Sequence, residues 1–299
     1  MTPATLIITH KNPDLDAIGF VYSARKTFGF EVPVECRMPT REDLEDPAVI
    51  VGDIGLLGCE ELGYSPDHNN FDHHYSYAER SAVFLFNGKF WALRDDVVEY
   101  IDAVDTRWLE EKAEFTLKVG VVGIRIRYRG DDHRILEEGG ALLRWIEEAG
   151  QDPSDLREPF PPGIQPNLQS GRDEIRRIHQ EIEGLKHLTT ATGRSVGYVV
   201  TSSPVLSMVK EEIFASGVDI AVAHDVEERR FSIACNLQRL KGMNLKEGGL
   251  IAALTAAERA KGLPPEQGWG GHPDRIGSPR RAGSFLSGEE VLQIVEAYL

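Results

Sequence analysis

The sequence predicts an α/β protein of two domains: a first domain with a parallel sheet and helices on both faces, a linker, and a smaller α/β second domain. Three observations support this. Short apolar runs alternate with helical patterns before residue 151, prolines then interrupt the pattern, and strands and helices resume afterwards. The chain has 299 residues, enough for two hydrophobic cores, and its composition of 41% hydrophobic and 27% charged residues is that of a globular protein.

The first domain is predicted from an alternation of short apolar runs and amphipathic segments. Residues 5–9 read TLIIT, a short buried strand, and a polar turn at 10–14 leads into a helix at 16–28. A second strand at 48–51 runs into Gly52-Asp53, and a third is expected to end at Phe71-Asp72. Further helices are predicted at 94–104 and 132–149, the latter with Gly150 as its stop signal. This order favours a parallel sheet.

A linker is predicted where periodicity is lost. Residues 151–167 contain five prolines, and a charged helix follows at about 171–188. Strands are then predicted at 196–201, 220–223 and 230–234, with helices near 206–214 and 248–261. We therefore divide the chain into a first domain at 1–150, a linker with a connecting helix at 151–193, and a second domain at 194–299.

Charge and cysteine content limit the partners and the compartment. The formal net charge of −15 argues against binding of long duplex DNA, which usually requires a basic surface. No apolar run approaches the length of a membrane span, and residues 1–9 lack the features of a secretory signal, so we expect no membrane association. The widely spaced Cys36, Cys59 and Cys235 are odd in number and are typical of reduced thiols in the cytoplasm.

The residues that indicate chemistry are histidines and aspartates, most of them near the ends of predicted strands. They form four clusters in the first 105 residues: His10 with Asp14 and Asp16, then Asp53, then Asp72-His73-His74, and finally Asp105. In open α/β sheets ligands bind outside the carboxyl ends of the strands. Imidazole and carboxylate ligands together suit Mn, Fe, Co or Zn. A pair of such ions can activate water for in-line displacement at phosphorus.

Each cluster also has a structural interpretation. Asn12-Pro13-Asp14 is a common turn sequence, and Asp14 or Asp16 could cap the following helix. Asp53 could be an ordinary loop residue, and the adjacent His73 and His74 could lie on a solvated turn. Asp102 competes with Asp105 for the fourth position. Three of the clusters follow strand ends in chain order, each with residues that can bind metal, and this joint occurrence favours a metal site.

These residues resemble the DHH phosphoesterase superfamily, whose signature is present as Asp72-His73-His74. The first motif of that superfamily, His-x-x-x-Asp-x-Asp, matches His10, Asp14 and Asp16. Its second motif matches Asp53 and its fourth matches Asp105. The match covers roughly residues 5–110.

The resemblance implies a role for each matched residue. One metal ion would be held by His10, Asp14 and Asp53. The other would be held by Asp16, His73 and Asp105, with Asp53 bridging the two ions. His74 would contact the scissile phosphate or protonate the leaving group, and Asp72 would orient the neighbouring histidines. The implied cofactor is two manganese ions, with magnesium, cobalt or zinc as alternatives.

The second domain adds a candidate substrate site. Gly270-Gly271-His272 resembles the glycine-rich motif of the C-terminal domain associated with this superfamily, which binds substrate. Glycines let backbone N–H groups approach a phosphate, and cationic side chains add donors. Arg275, Arg280 and Arg281 form a basic patch beside this motif, unless they are a solvated surface loop. The residues that follow His272, and residues 236–239 on the preceding strand, depart from the family pattern, which leaves the substrate open.

The metal-binding residues and the resemblance together imply a manganese-dependent phosphoesterase that acts on a nucleotide or a short oligonucleotide. Candidate substrates are oligoribonucleotides, a bisphosphorylated adenosine, and linear or cyclic dinucleotides. The alternatives are an exonuclease on longer single strands and a non-catalytic interaction module with the same fold. A homodimer is kept as a candidate assembly.

Overall fold

The computed structural model describes residues 3–54, 69–73, 80–106, 113–236, 239–271, 273–279 and 281–299. The chain forms two compact units, Met1–Glu174 and Ile175–Leu299. Each unit combines helices with a sheet, and the predicted α/β class is confirmed. The candidate residues His74, His272 and Arg280 lie outside the described residues.

Within the described residues, the sheet of the first unit is parallel and has three strands. Its strands are β1 (Leu6–Thr9), β2 (Val34–Cys36) and β3 (Val49–Val51), in the order β2-β1-β3. The central strand β1 is apolar because helices cover its residues; Ile7 and Ile8 are fully buried. In place of the expected third strand ending at Asp72, the described residues contain one parallel bridge, between Val51 and Asn70.

Helices bury this sheet and build the larger core. They are α1 (Leu15–Phe28), α2 (Arg41–Glu45), α3 (Ala82–Phe90), α4 (Asp95–Thr106), α5 (Leu117–Arg127), α6 (Asp132–Glu148) and α7 (Gln165–Ile182). Helix α1 is central and packs against α3, α4 and α6, so that its residues 15–24 are all buried. Gly52 lies against Phe20, where an added Cβ would come within 2.6 Å of the ring. A glycine at this position therefore allows β3 to lead directly into Asp53 beside α1.

The segment predicted as a linker is partly helical. Helix α7 begins at Gln165, several residues before the predicted start, and the boundary between the two compact units falls within it. Pro166 is compatible with this start because the first turn of a helix needs no hydrogen bond from a backbone N–H. The prediction from proline density therefore placed the start of this helix too late in the chain.

The described part of the second unit has a mixed sheet of six strands. Its elements are β4 (Lys186–Thr189), β5 (Ser195–Thr201), α8 (Leu206–Ala215), β6 (Ile220–Asp225), β7 (Arg230–Cys235), α9 (Leu250–Ala260), β8 (Gly270–Gly271), β9 (Arg275–Gly277) and α10 (Gly288–Tyr298). The strand order is β4-β5-β6-β7-β9-β8, and β5 and β6 are parallel while the other neighbours are antiparallel.

Within the described ranges, no helix is both long enough and apolar enough to cross a membrane.

Candidate metal centre

The candidate site lies at the carboxyl edge of the first sheet. His10 directly follows β1, and Asp53 lies two residues after β3. Because β1 and β3 are parallel neighbours, their carboxyl ends meet at the same edge. His73 reaches this edge because Asn70, three residues earlier, pairs with Val51 at the end of β3. The parallel order of the strands therefore gathers residues that are more than 60 positions apart in the sequence.

One group of side chains consists of His10, Asp14 and Asp53. The Nε2 atom of His10 lies 3.6 Å from Asp14 Oδ2 and 3.3 Å from Asp53 Oδ2. Its other ring nitrogen, Nδ1, lies 2.7 Å from the carbonyl oxygen of Lys11. A carbonyl can only accept, so Nδ1 donates this hydrogen bond, and the bond orients Nε2 toward the carboxylates.

A second group consists of Asp16, His73 and Asp105. The Nε2 atom of His73 lies 3.6 Å from Asp16 Oδ2 and 3.5 Å from Asp105 Oδ2. One ligand atom from each of these residues can be chosen so that all lie within 4.8 Å of one another, and the same holds for the first group. Both groups therefore have the size of a metal site.

Asp53 lies between the two groups. Its Oδ2 atom is the one that faces His10, and its Oδ1 atom lies 3.4 Å from His73 Nε2. The side chain is only 4% exposed, and its backbone has a positive φ of 53°. Such a φ is uncommon for a residue other than glycine and is concentrated at functional sites. The turn after β3 thus holds one carboxylate with an oxygen toward each histidine.

The two carboxylate oxygens of Asp14 contact different groups. Its Oδ1 atom accepts a hydrogen bond from the backbone N–H of Ala17 at 3.2 Å and so caps α1, while its Oδ2 atom faces His10. The capping interpretation and the ligand hypothesis are therefore compatible, since a different oxygen serves each.

Asp16 is fully buried at the start of α3. Its carboxylate accepts hydrogen bonds from the backbone N–H groups of Ala82 at 2.7 Å and Val83 at 2.9 Å. These are among the N–H groups that a helix leaves unpaired at its first turn, where a negative charge is also stabilised by the helix dipole. Asp16 therefore joins α1 to α3 and presents an oxygen to His73 at the same time.

The electrostatics of the two histidines reflect the surrounding carboxylates. Burial lowers the pKa of His10, but Asp14 and Asp53 outweigh this effect and raise the pKa well above its ordinary value. For His73, burial also lowers the pKa, and Asp53, Asp16 and Asp105 together raise it to about 10. Both imidazoles thus lie in a strongly negative field that favours a positive charge at each position.

For two of the carboxylates, the surroundings favour the neutral form over the charged one. Burial and the charge of Asp53 raise the pKa of Asp16 to about 7. Burial and the charge of Asp16 raise the pKa of Asp105 well above its ordinary value. Carboxylates crowded in a poorly solvated space repel one another unless protons or cations balance them.

The structure distinguishes Asp102 from Asp105, the two candidates for the fourth motif. Asp105 lies in the last turn of α4 and faces His73. Asp102 is one turn earlier, where its carboxylate accepts from the backbone N–H of Ser81 at 2.7 Å and pairs with Arg80 Nε at 3.0 Å. Asp102 thus anchors the segment before α3, and Asp105 belongs to the second group.

Asp72 is fully buried next to the site. Its Oδ1 atom accepts a hydrogen bond from the backbone N–H of Ile54 at 3.0 Å, directly after Asp53. This contact supports the turn that carries Asp53. The orientation of the histidines by Asp72, and the role of His74, stay predictions.

In comparisons with known proteins, no protein-family model and no curated protein matches the chain. A solved DHH domain, from a member of a family of ribosomal proteins, matches over 98% of this chain and 85% of its own, with 10% identity and a TM-score of 0.47. An exopolyphosphatase-related protein from Bacteroides fragilis matches over 98% of this chain and 91% of its own, with 13% identity and a TM-score of 0.35.

A third solved structure, an uncharacterized protein from Helicobacter pylori, matches over 98% of each chain, with 10% identity and a TM-score of 0.30. At TM-scores below 0.5 these similarities carry no argument about this chain. The function proposed below therefore rests on the residues described above.

The donors at the sheet edge fit divalent cations. Each group offers an imidazole nitrogen together with carboxylate oxygens, a set that suits Mn, Fe, Co and Zn. Asp53 offers one oxygen to each group, as a bridging ligand requires. Cations would also balance the crowded carboxylates of Asp16, Asp53 and Asp105. These residues can therefore hold metal.

Arg125 is a further residue near the site that the sequence did not indicate. It lies in the last turn of α5, and the turn after α5 leads to Asp132, which accepts a hydrogen bond from the backbone N–H of Asn12 at 3.0 Å. Burial lowers the pKa of the Arg125 guanidinium, and the nearby Asp14 carboxylate partly offsets this effect. It makes no hydrogen bond or ion pair with any residue that the structure describes. Only a helical pattern over residues 117–127 could have placed it beside the His10–Asp14 turn.

The candidate substrate residues of the second unit lie at the edge of its sheet. Gly270 and Gly271 form β8 and are exposed, and Arg275 begins β9, where its Nε atom pairs with Asp274 at 3.1 Å. Gly271 has a φ of +148°, and an added Cβ would lie 2.3 Å from the carbonyl oxygen of Arg275. The close approach of β8 to β9 therefore requires glycine at position 271.

Proposed function

We propose that the chain is a two-metal phosphoesterase of the DHH superfamily, and that the edge of its first sheet is the catalytic site. The observation that carries this proposal is the position of Asp53, with one oxygen toward His10 and the other toward His73. A single-metal or structural site has no need for a carboxylate shared in this way. Structural zinc sites are also usually closed sets of cysteine and histidine, whereas aspartates dominate here.

A pair of divalent cations at these residues would supply the Lewis acidity that activates a water and neutralises charge on the phosphate oxygens. The chain itself contributes the arrangement. The backbone carbonyl of Lys11 fixes the imidazole of His10, and the N-terminus of α3 fixes the carboxylate of Asp16. Arg125 adds a guanidinium near Asp14, and we propose that it binds a phosphate oxygen of the substrate.

We propose nucleotides or short oligonucleotides as the substrate class and manganese as the cation. The net charge of −15 disfavours long polyanions, and the Gly270–Gly271 hairpin with Arg275 offers donors for one phosphate group. The hairpin sequence is also the part of the second unit that resembles the substrate-binding motif of the superfamily.

A substrate panel tests the proposal. The purified protein with manganese would be incubated with dinucleotides, five-nucleotide RNA and DNA, adenosine 3′,5′-bisphosphate, cyclic dinucleotides, long single-stranded DNA and pyrophosphate. We expect hydrolysis of at least one short nucleotide substrate, its suppression by EDTA, and little action on the long strand. If no substrate is cleaved with manganese, magnesium, cobalt or zinc, the proposal is wrong.

The substitution Arg125→Met tests the proposed contact with substrate. Hydrogen bonds to charged groups contribute about 1.5–3 kcal/mol, so kcat/KM for the best substrate should fall by roughly 10–100-fold. The metal content should not change, because an arginine is not a metal ligand. Steady-state kinetics and metal analysis of the purified variant would measure both.

The matched control is Arg127→Met, which removes an exposed arginine two residues further along the same helix. It should retain the kinetics of the unmodified protein. Equal losses in the two variants would show that the effect comes from the overall field or from α5, and would contradict a specific role for Arg125.

A further inference from the structure

A single peptide group connects His10 to helix α6. The carbonyl oxygen of Lys11 accepts the hydrogen bond from His10 Nδ1 at 2.7 Å. The N–H of the same peptide group belongs to Asn12 and donates to Asp132 Oδ1 at 3.0 Å. Because a trans peptide group is planar, its C=O and N–H point in opposite directions. The two hydrogen bonds therefore form a continuous chain from the carboxylate of Asp132 to the imidazole of His10.

The position of Asp132 is fixed by the packing of α6 on α1. Asp132 is the first residue of α6 and is half-buried. In the middle of the two helices, an added Cβ at Gly139 would lie 2.6 Å from Ile18. Near their ends, Lys26 pairs with Glu147 at 2.8 Å. Helix α1 begins directly after the turn that carries His10, so the same packing sets where α6 meets this turn.

The turn has an uncommon backbone conformation. Asn12 has a positive φ of 56°, which few residues other than glycine adopt. Pro13 follows and restricts the backbone of the residue before it still further. Such a conformation persists where surrounding contacts hold it. The hydrogen bond from Asn12 to Asp132 is a contact of this kind, and its acceptor comes from a different element.

Two adjacent aspartates at the start of α6 have different contacts. Asp131 is the N-cap residue, and its Oδ1 atom accepts from the backbone N–H of Arg134 at 3.0 Å. Asp132 instead accepts from Asn12 of the turn. Since Asp131 supplies the helix cap, the carboxylate of Asp132 is available for the turn.

A carboxylate at the end of this chain affects His10 in two ways. A histidine that binds metal usually donates its other ring N–H to a carboxylate or a carbonyl, which orients the ring and makes the ligand nitrogen more basic. Hydrogen bonds in a chain also polarise one another, so the negative charge of Asp132 makes the Lys11 carbonyl a stronger acceptor. The carboxylate therefore acts on Nε2 of His10 although a peptide group lies between them.

We propose that Asp132 is a positioning residue for metal binding by His10. Through the peptide group of Lys11 and Asn12 it orients the imidazole and strengthens Nε2 as a ligand. This inference rests on the proposed function and deepens it, because it assigns part of the metal affinity to a helix that carries none of the candidate ligands.

Calorimetric titration of the full-length, metal-free protein with manganese, without substrate, tests the effect on metal binding. We expect two ions to bind. Asp132→Ala should weaken one of them by about tenfold, the lower end for such partners, because Asn12 is exposed and water can replace the carboxylate. The other ion should keep its affinity. Asp132→Asn retains an oxygen acceptor at the same position and should restore most of the loss.

The matched control is Asp131→Asn. It removes the same charge one residue away, and asparagine is as good an N-cap as aspartate. Both manganese ions should bind to it as they bind to the unmodified protein.

A second measurement needs no metal. In EDTA, the NMR signal of the His10 Nδ1–H proton reports the strength of its hydrogen bond to Lys11. We expect this signal at low field in the unmodified protein and in Asp131→Asn, and a shift to higher field in Asp132→Ala. A loss of helix stability alone would leave the signal in place.

The outcomes separate this proposal from the proposed function. Unchanged manganese affinities or an unchanged His10 signal in Asp132→Ala would overturn it, as would equal weakening in Asp132→Ala and Asp131→Asn. Two bound ions without hydrolysis of any substrate would defeat the proposed catalysis and leave this assignment intact. If no manganese binds, the proposed function fails, while the His10 signal in EDTA still decides whether Asp132 acts on this imidazole. Should Asp132→Ala fail to fold, a smaller shift in Asp132→Asn and none in Asp131→Asn would support the proposal, and equal signals in both would overturn it.

Discussion

Asp53→Asn is expected to lower metal-dependent hydrolysis by roughly a thousandfold or more, equivalent to about 4 kcal/mol of lost transition-state stabilisation. The reason is the shared position of this carboxylate: one substitution removes a negative oxygen from both groups at once. The fold should persist, because asparagine has the same shape as aspartate. The change also relieves the repulsion of Asp53 with the carboxylates of Asp16 and Asp105. Initial rates with manganese and metal analysis of the purified protein would measure the loss.

The control is Asp95→Asn, an exposed acid in the first turn of α4. It removes the same charge from the molecule but none from the site, so its activity should match that of the unmodified protein. Full activity in Asp53→Asn would end the two-metal hypothesis. Lost activity together with a lost near-ultraviolet circular dichroism signal would instead indicate unfolding.

Asp16 is a less informative target for the same question, for a reason that only the structure reveals. Its carboxylate accepts two backbone hydrogen bonds from the start of α3, and an asparagine would turn its amide N–H₂ toward one of those N–H groups. A buried donor without an acceptor costs about 1–3 kcal/mol. Lost activity in Asp16→Asn would therefore combine a change of ligand with a disturbed packing of α1 on α3.

The sequence predicted the elements that place the site because they carry strong local signals. The apolar runs that became β1 and β3 are short, bounded by polar turns and followed at once by His10 and Asp53. In a parallel sheet the carboxyl ends of neighbouring strands lie at one edge, so strand order alone predicts that these residues come together. The helix that became α1 was predicted for the same reason, since its period and its polar start were both visible.

Other features depended on tertiary contacts that no local pattern contains. Asp102 and Asp105 are three residues apart on α4, so the sequence shows two acids on neighbouring helical positions. Only packing decides that Asp102 meets Arg80 while Asp105 meets His73. Arg125 was missed because a single cation in a helix has no motif, and its importance depends on what lies opposite to it in the fold.

Manganese is expected to raise the melting temperature of the first unit by about 5–10 °C when its concentration is about 100 times its Kd. Binding to the folded state alone at that concentration adds about 2.7 kcal/mol, and 1 kcal/mol shifts the melting temperature of a domain of this size by about 2–4 °C. The physical source is the crowding of Asp16, Asp53 and Asp105, whose repulsion a divalent cation relieves. Differential scanning calorimetry with manganese and with EDTA would measure the shift.

The comparison with Asp53→Asn makes this measurement specific. Without manganese, the variant loses the repulsion between Asp53 and the neighbouring carboxylates but also the attraction of Asp53 for the charged His10 and His73, so its melting temperature should change little. With manganese, it should gain little. A nonspecific effect of the cation on an acidic protein would instead stabilise both proteins equally, and Asp95→Asn would then behave no differently from Asp53→Asn. A lost metal response with little change in the metal-free melting temperature is expected only if the carboxylate of Asp53 binds the metal.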